Sequence, residues 1–272
     1  MSKTLLQKSF DSILEATKNS KGDVSQIFKK FKKNQPLRFT TGWSEHAVDV
    51  IIVEDLLLIC NRGDERKKPS IKAYRIDRNQ STMTEKDFET LQERNITNDQ
   101  NMIEFIYDTL PSKLSKKPPD HLIKFINKTC RQKSQKIGNC WWVNPMAGIF
   151  ACLLMEKLIP LDKKFETEKE KTKAFQAAFD EVQPIFKQFS EFARVEVAKE
   201  YMLRKPDEIG RDHQLIRRIV NKLDSKKWKH LFEENNIGKL PPLFKKTEFT
   251  SIVDNYKNAF NLDEDFNPIS AA

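Results

Sequence analysis

The residue best placed to do chemistry is Cys140. Gly138 and Asn139 are turn residues, and from Cys140 the segment CWWVNPMAGIFACLLME is apolar and helical in pattern. The cysteine therefore sits where a loop becomes the first turn of a buried helix. A thiol becomes a good nucleophile when its pKa falls, and a helix N-terminus or a nearby imidazolium brings that about. The Cys140 backbone N–H would point toward the oxygen of an attacked carbonyl. Gln135, five residues earlier, offers a side-chain amide as a second oxyanion donor.

The base must come from elsewhere in the chain. There are four histidines: His46, His121, His213 and His230. The last three lie in helical, charge-rich segments and read as surface residues. His46 follows a small loop, Thr40 to Glu45, and starts a strand, so its ring can sit at a sheet edge facing a cleft. A third group should orient the imidazole. If 46–52 and 56–61 form a hairpin around Glu54-Asp55, Asn61 returns beside His46; Asp64, three residues on, is the rival. Trp43, Trp141 and Trp142 are candidate walls of a substrate groove, with core packing an equal reading for each.

These residues need a particular set of elements to hold them. The stretch HAVDVIIVEDLLLIC at 46–60 is β-branched and aliphatic with a turn signal in its middle, and Ile71 to Ile76 alternates as a third strand. Before them, residues 3–33 read as amphipathic helix broken at Lys21-Gly22. After them, Thr84 to Asp87 caps a helix reaching Arg94, and Asn98 opens another that carries Met102, Ile103, Phe105, Ile106 and Leu110. Residues 163–201 form one or two long helices, with Pro184 a point of kinking or splitting. The organisation expected is an N-terminal helical segment at 1–35, a core at 36–160 holding the site, and a helical region at 161–272. The fold class is α+β: a small antiparallel sheet packed on a central helix that begins at Cys140.

Composition narrows the alternatives. The chain has 272 residues, 38% hydrophobic and 32% charged. Its net charge of +9 arises from 48 basic residues interleaved with 39 acidic ones, with no Arg-rich or Gly-rich aromatic motif, so nucleic acid is not the expected partner. The longest apolar stretch, Gly148 to Met155, is too short to span a bilayer and reads as a buried helix. The N-terminus lacks a signal-peptide apolar core. The four cysteines, Cys60, Cys130, Cys140 and Cys152, form no CxxC pair. They point to a reduced, cytosolic protein, with Cys60 and Cys152 as core residues and Cys130 a bystander. No metal or organic cofactor is implied.

The segment Gln135 to Trp141 resembles the Gln-loop-Cys-Trp segment of papain-like cysteine proteases. The chain order His46, Asn61, Gln135, Cys140 resembles the ubiquitin-like-protein-specific proteases, including the SUMO-protease group, and the related adenovirus-type and YopJ-type enzymes. The resemblance covers about residues 40–155. It departs from those families at Ala47, where an aromatic is usual, at Asn61, where SUMO proteases carry Asp, and at Trp141, where Gly is usual. The resemblance implies a papain-like fold and a thiol-dependent acyl hydrolase. Its substrate would be a protein or a ubiquitin-like conjugate, with deamidation and acyl transfer sharing the same intermediate. It also resembles cysteine-protease-fold effectors that bacteria deliver into a host cytosol. The competing readings are a catalytically degenerate protease fold that binds a host protein, and an all-helical scaffold with an incidental cysteine.

Overall fold

Alternation of side chains over residues 37–75 builds the sheet. A computed structural model describes residues 5–43, 46–61, 70–93, 99–130, 140–203, 217, 220–221, 246–267 and 269. Strands β1 (Leu37–Trp43), β2 (His46–Val53), β3 (Leu56–Cys60) and β4 (Ile71–Arg75) pair antiparallel in the order β1-β2-β3-β4. Val53 pairs with Leu56, so Glu54 and Asp55 make a two-residue turn, and Glu54 takes the positive φ of 48° that such a turn demands. Every residue of β3 is buried, because the sheet is covered on both faces.

One face carries Leu37, Phe39, Val48, Val50, Ile52, Leu57 and Ile59. These pack with Ile27 and Phe31 of helix α2 (Val24–Lys32) and Phe88 and Leu91 of helix α3 (Glu85–Gln92). Met102, Ile106 and Leu110 complete that layer. They come from a helical run that the sequence presents as one helix but that folds in three parts: α4 (Asp99–Glu104), a π-helical turn (Phe105–Thr109) and α5 (Leu110–Lys113). Helix α3 opens as its sequence suggests, with Thr84 donating its N–H and its hydroxyl to Asp87. Helix α6 (His121–Thr129) packs against β4.

The other face is covered by helices α1 (Leu5–Asn19) and α7 (Cys140–Lys164). Residues 144–164 are long and apolar enough to cross a membrane by composition, yet more than half of that stretch is buried inside the protein as the core helix. Helix α7 runs along β2. The Asn144 amide donates to the Ala47 carbonyl, and one turn later Gly148 lies against Asp49. A Cβ at 148 would overlap the Asp49 carboxylate. Asp49 is fully buried, paired with Arg38 at 2.6 Å and accepting from the Thr40 hydroxyl at 2.7 Å. Burial pushes its carboxyl pKa up, while Arg38 and Thr40 pull it back. At the far end of α7, Arg75 holds Asp55, Asp120 and Asp162 together at 2.6 to 3.0 Å, tying β4 to the β2–β3 turn, α6 and α7.

Two expectations change. Of the expected loop Thr40 to Glu45, residues 40–43 are strand: β1 runs through Trp43 and pairs with β2 along its whole length, and 44–45 lie outside the described residues. Leu37 and Phe39 face one layer of the core, and Arg38 and Thr40 face the other, where they serve Asp49. The boundaries at 35/36 and 160/161 also differ from what is observed. The chain divides into compact units at 1–183 and 184–272, a border inside helix α8 (Glu168–Leu203), which continues as helix through Pro184. The N-terminal helices belong to the first unit because α1 packs on β1 and α7, and α2 on α3. In the second unit, Val195, Ala198 and Met202 of α8, Val253 and Tyr256 of helix α9 (Lys246–Ala259), and Leu262 and Phe266 are buried.

Gly148→Ala is expected to lower unfolding free energy by about 1–3 kcal/mol, since the added methyl forces α7 from β2. Arg38→Met, which strands Asp49, is expected to cost about 3–5 kcal/mol. Urea unfolding checks both as lower midpoints at unchanged slope.

Candidate functional site

His46 is the first residue of β2 and pairs across the strand with Trp43, the last of β1. It thus lies at the end of an interior strand, where the expectation was a sheet edge. Gly42 makes this hairpin close: its φ is 150°, and a Cβ there would overlap the His46 carbonyl oxygen. Trp43 is buried and its indole stacks on the His46 ring, centroids 4.5 Å apart at 27°. Trp43 therefore packs on the histidine and within the core, as the core-packing reading has it.

Asn61 follows the last residue of β3. Cys60 pairs with Asp49, so the register carries Asn61 opposite Val48 and diagonal to His46 on the same face. Its backbone N–H donates to the Ser70 carbonyl at 2.9 Å, and Ser70 is anchored by its N–H and hydroxyl to the Cys130 carbonyl at 3.0 and 2.7 Å. The side chain comes to His46: Asn61 Oδ1 lies 2.9 Å from His46 Nε2. An amide oxygen can only accept, so Nε2 carries a proton, and in the neutral ring Nδ1 then holds the lone pair. That is the tautomer a general base needs. Asn61 Nδ2 donates to the Tyr107 hydroxyl at 2.8 Å. Tyr107, in the π turn, is a residue that sequence reasoning did not select. Nothing in its spacing separates it from the apolar residues around it, and a π turn leaves no signature in hydrophobic periodicity.

Helix α7 is described from Cys140 onward, and Gly138 and Asn139, the expected turn before it, lie outside the described residues. Cys140 precedes Asn144 by one turn, roughly 6 Å along the axis. Asn144 bonds to Ala47, the neighbour of His46, so the start of α7 is directed toward the β1–β2 end of the sheet. Helix α7 covers the face opposite the one that carries Trp43, the His46 ring and Asn61. A contact between Cys140 and His46 has to be made around that end of the sheet. Gln135 and Asp64 lie outside the described residues, as do His213 and His230, and Trp141 and Trp142 are described only as part of α7.

The remaining thiols are poor nucleophiles. Burial pushes the Cys60 thiol well above its ordinary range, with Asp49 adding to the effect, and pushes Cys130 and Cys152 up to about 12. His121, read from sequence as a surface residue, is half-buried. It stacks on Phe175 and lies 2.8 Å from the Thr172 hydroxyl, which itself donates to the Glu168 carbonyl. That Thr172 hydroxyl is left to accept from His121 Nε2. Among the described residues, no group of three or more His, Cys, Asp or Glu side chains could hold a metal ion.

No protein-family model matches the chain, and no curated protein matches it. Among solved structures it is similar to one described as the structure of the Legionella effector AnkH, with a TM-score of 0.41 and 14% identity. The match covers 97% of this chain and 58% of that one. At this level the likeness assigns neither fold nor activity.

Alkylation of the native protein at pH 8 is expected to leave Cys60, Cys130 and Cys152 unmodified until denaturant is added, as read by peptide mass spectrometry. The same burial has a pH signature. Above the ordinary thiol pKa the unfolded chain loses these protons while the folded chain keeps them, so stability falls as pH rises, by at most about 1.4 kcal/mol per pH unit per thiol. Rapid native labelling of Cys60 would contradict both expectations.

Proposed function

We propose that this chain is a thiol-dependent acyl hydrolase of papain-like chemistry, acting on a protein or ubiquitin-like conjugate. The observation that carries the reading is the 2.9 Å contact between His46 Nε2 and Asn61 Oδ1, which leaves Nδ1 free of its proton at the sheet end toward which α7 starts. In this reaction Nδ1 takes the proton of the Cys140 thiol and the sulfur attacks the acyl carbon. Asn61 stabilises the imidazolium that forms. The Cys140 N–H and the Gln135 amide receive the oxyanion. His46 then gives its proton to the leaving amine, and water, deprotonated by the same imidazole, releases the acid from the thioester. The helix start favours the thiolate because the α7 dipole ends there. Trp43, Trp141 and Trp142 would flank the acyl segment.

A second reading rests on one specific observation: α7 and the His46 ring occupy opposite faces of the sheet, and Trp43 closes one side of that ring. A protease fold that has lost its nucleophile–base contact and binds a protein partner would have this arrangement.

The two separate cleanly. An electrophilic peptide or ubiquitin-like probe is expected to form an adduct at Cys140, and His46→Ala is expected to slow it by about 10²–10⁴-fold. Hydrolysis should vanish in Cys140→Ala. A Cys140 rate equal to that of a free thiol and indifferent to His46→Ala would overturn the enzymatic reading, and an unchanged partner affinity in Cys140→Ala would then favour the binding module.

A further inference from the structure

Tyr107 is held from three sides. Its hydroxyl accepts from Asn61 Nδ2 at 2.8 Å, its carbonyl accepts from the Tyr74 hydroxyl at 3.5 Å, and the Lys72 ammonium lies 5.5 Å above its ring. Lys72 and Tyr74 both come from β4, so the neighbouring strand braces the tyrosine that reaches Asn61. The turn carrying Tyr107 is the π-helical Phe105–Thr109, flanked on either side by ordinary α-helix. Turns of this kind are uncommon and gather at functional positions, because the extra residue re-aims a side chain.

An amide in the third position of a histidine site has a problem that a carboxylate lacks. Its two ends differ, and only the oxygen serves a protonated Nε2. When His46 becomes an imidazolium, Asn61 Oδ1 must face it, and the Nδ2 hydrogens then need an acceptor on the far side. Tyr107 is that acceptor.

We infer that Tyr107 is a positioning residue, which holds the Asn61 amide with its oxygen on His46 Nε2 and so keeps the imidazole in the tautomer that can act as a base. As a statement about catalysis this rests on the acyl-hydrolase reading; as a statement about His46 it does not. The π turn is the device that delivers the hydroxyl, with Lys72 and Tyr74 fixing where it stops.

The experiment compares Tyr107→Phe in two backgrounds, Asn61 and Asn61→Asp, in the full chain. The substitution keeps the ring beneath Lys72 and removes the hydroxyl that accepts from Asn61. A carboxylate presents an oxygen to Nε2 whichever way it turns and has no hydrogens to satisfy. Tyr107→Phe is therefore expected to lower the probe reaction at Cys140 by about tenfold in the Asn61 background, through the rate and with KM unchanged. In the Asn61→Asp background it is expected to act within about twofold. Equal losses in both backgrounds, or no loss in either, overturn the inference. Nitrogen-15 spectra of His46 give a readout that does not depend on reactivity. The protected Nε2–H resonance is expected in the native chain, diminished in Tyr107→Phe and in Asn61→Ala, and retained in the Asn61→Asp, Tyr107→Phe double variant. A His46 resonance untouched by Tyr107→Phe overturns the positioning role even if Cys140 turns out to be unreactive. An unreactive Cys140 with the expected spectra overturns the hydrolase reading alone.

Discussion

The seating of α7 on β2 over the buried Asp49 carboxylate governs the rest of the molecule. A charge with no exposure to water is tolerable only with its donors in place, and Arg38 and Thr40, both from β1, supply them. Their demand fixes β1 beside β2. Gly148 lets the helix come down onto that pair, and the Asn144 bond to Ala47 sets its register. Once these contacts are made, the direction in which α7 begins is no longer free, and the start lies toward the end of the sheet that bears His46. A buried ion pair adds little net stability compared with apolar packing, so its value here lies in fixing one register among several that an aliphatic interface would accept.

The parts of this arrangement that were legible in the sequence are those written in strong periodic patterns. The aliphatic run at 46–60 with Glu54-Asp55 in its centre specifies a hairpin, and that hairpin alone suffices to bring Asn61 toward His46. The apolar helical pattern from Cys140 onward specifies the body of α7. Strand β1 was not legible because its alternating run is short and gives way to Thr41-Gly42, and the residue that makes use of Arg38 and Thr40, Asp49, comes beside them only in the fold. Tyr107 was not legible because its orientation depends on a local change of helix pitch. The unit border was not legible either: it falls inside α8 at Pro184, a residue read as a kink, within a helix that does not break there. Sequence patterns report which residues are buried, and they report poorly on which buried residues are polar by design.

The amide at position 61 gives the site a particular character. A carboxylate beside an imidazole lends it negative charge and raises its affinity for a proton. A neutral amide lends only direction. His46 is therefore oriented by a network of neutral donors and acceptors running from Asn61 to Tyr107, and the Lys72 ammonium lies against the tyrosine ring. The stack of Trp43 on the other side restricts ring rotation without adding charge.

Gly42 bears on how such a hairpin can drift over generations. Any replacement that adds even a methyl group there meets the carbonyl of His46, so a change four positions before the histidine would displace the imidazole without touching it. The location of the ring is inherited through a vacancy in the neighbouring strand. Copies of this fold that keep the histidine but gain a side chain at 42 would preserve the signature residue and lose its placement.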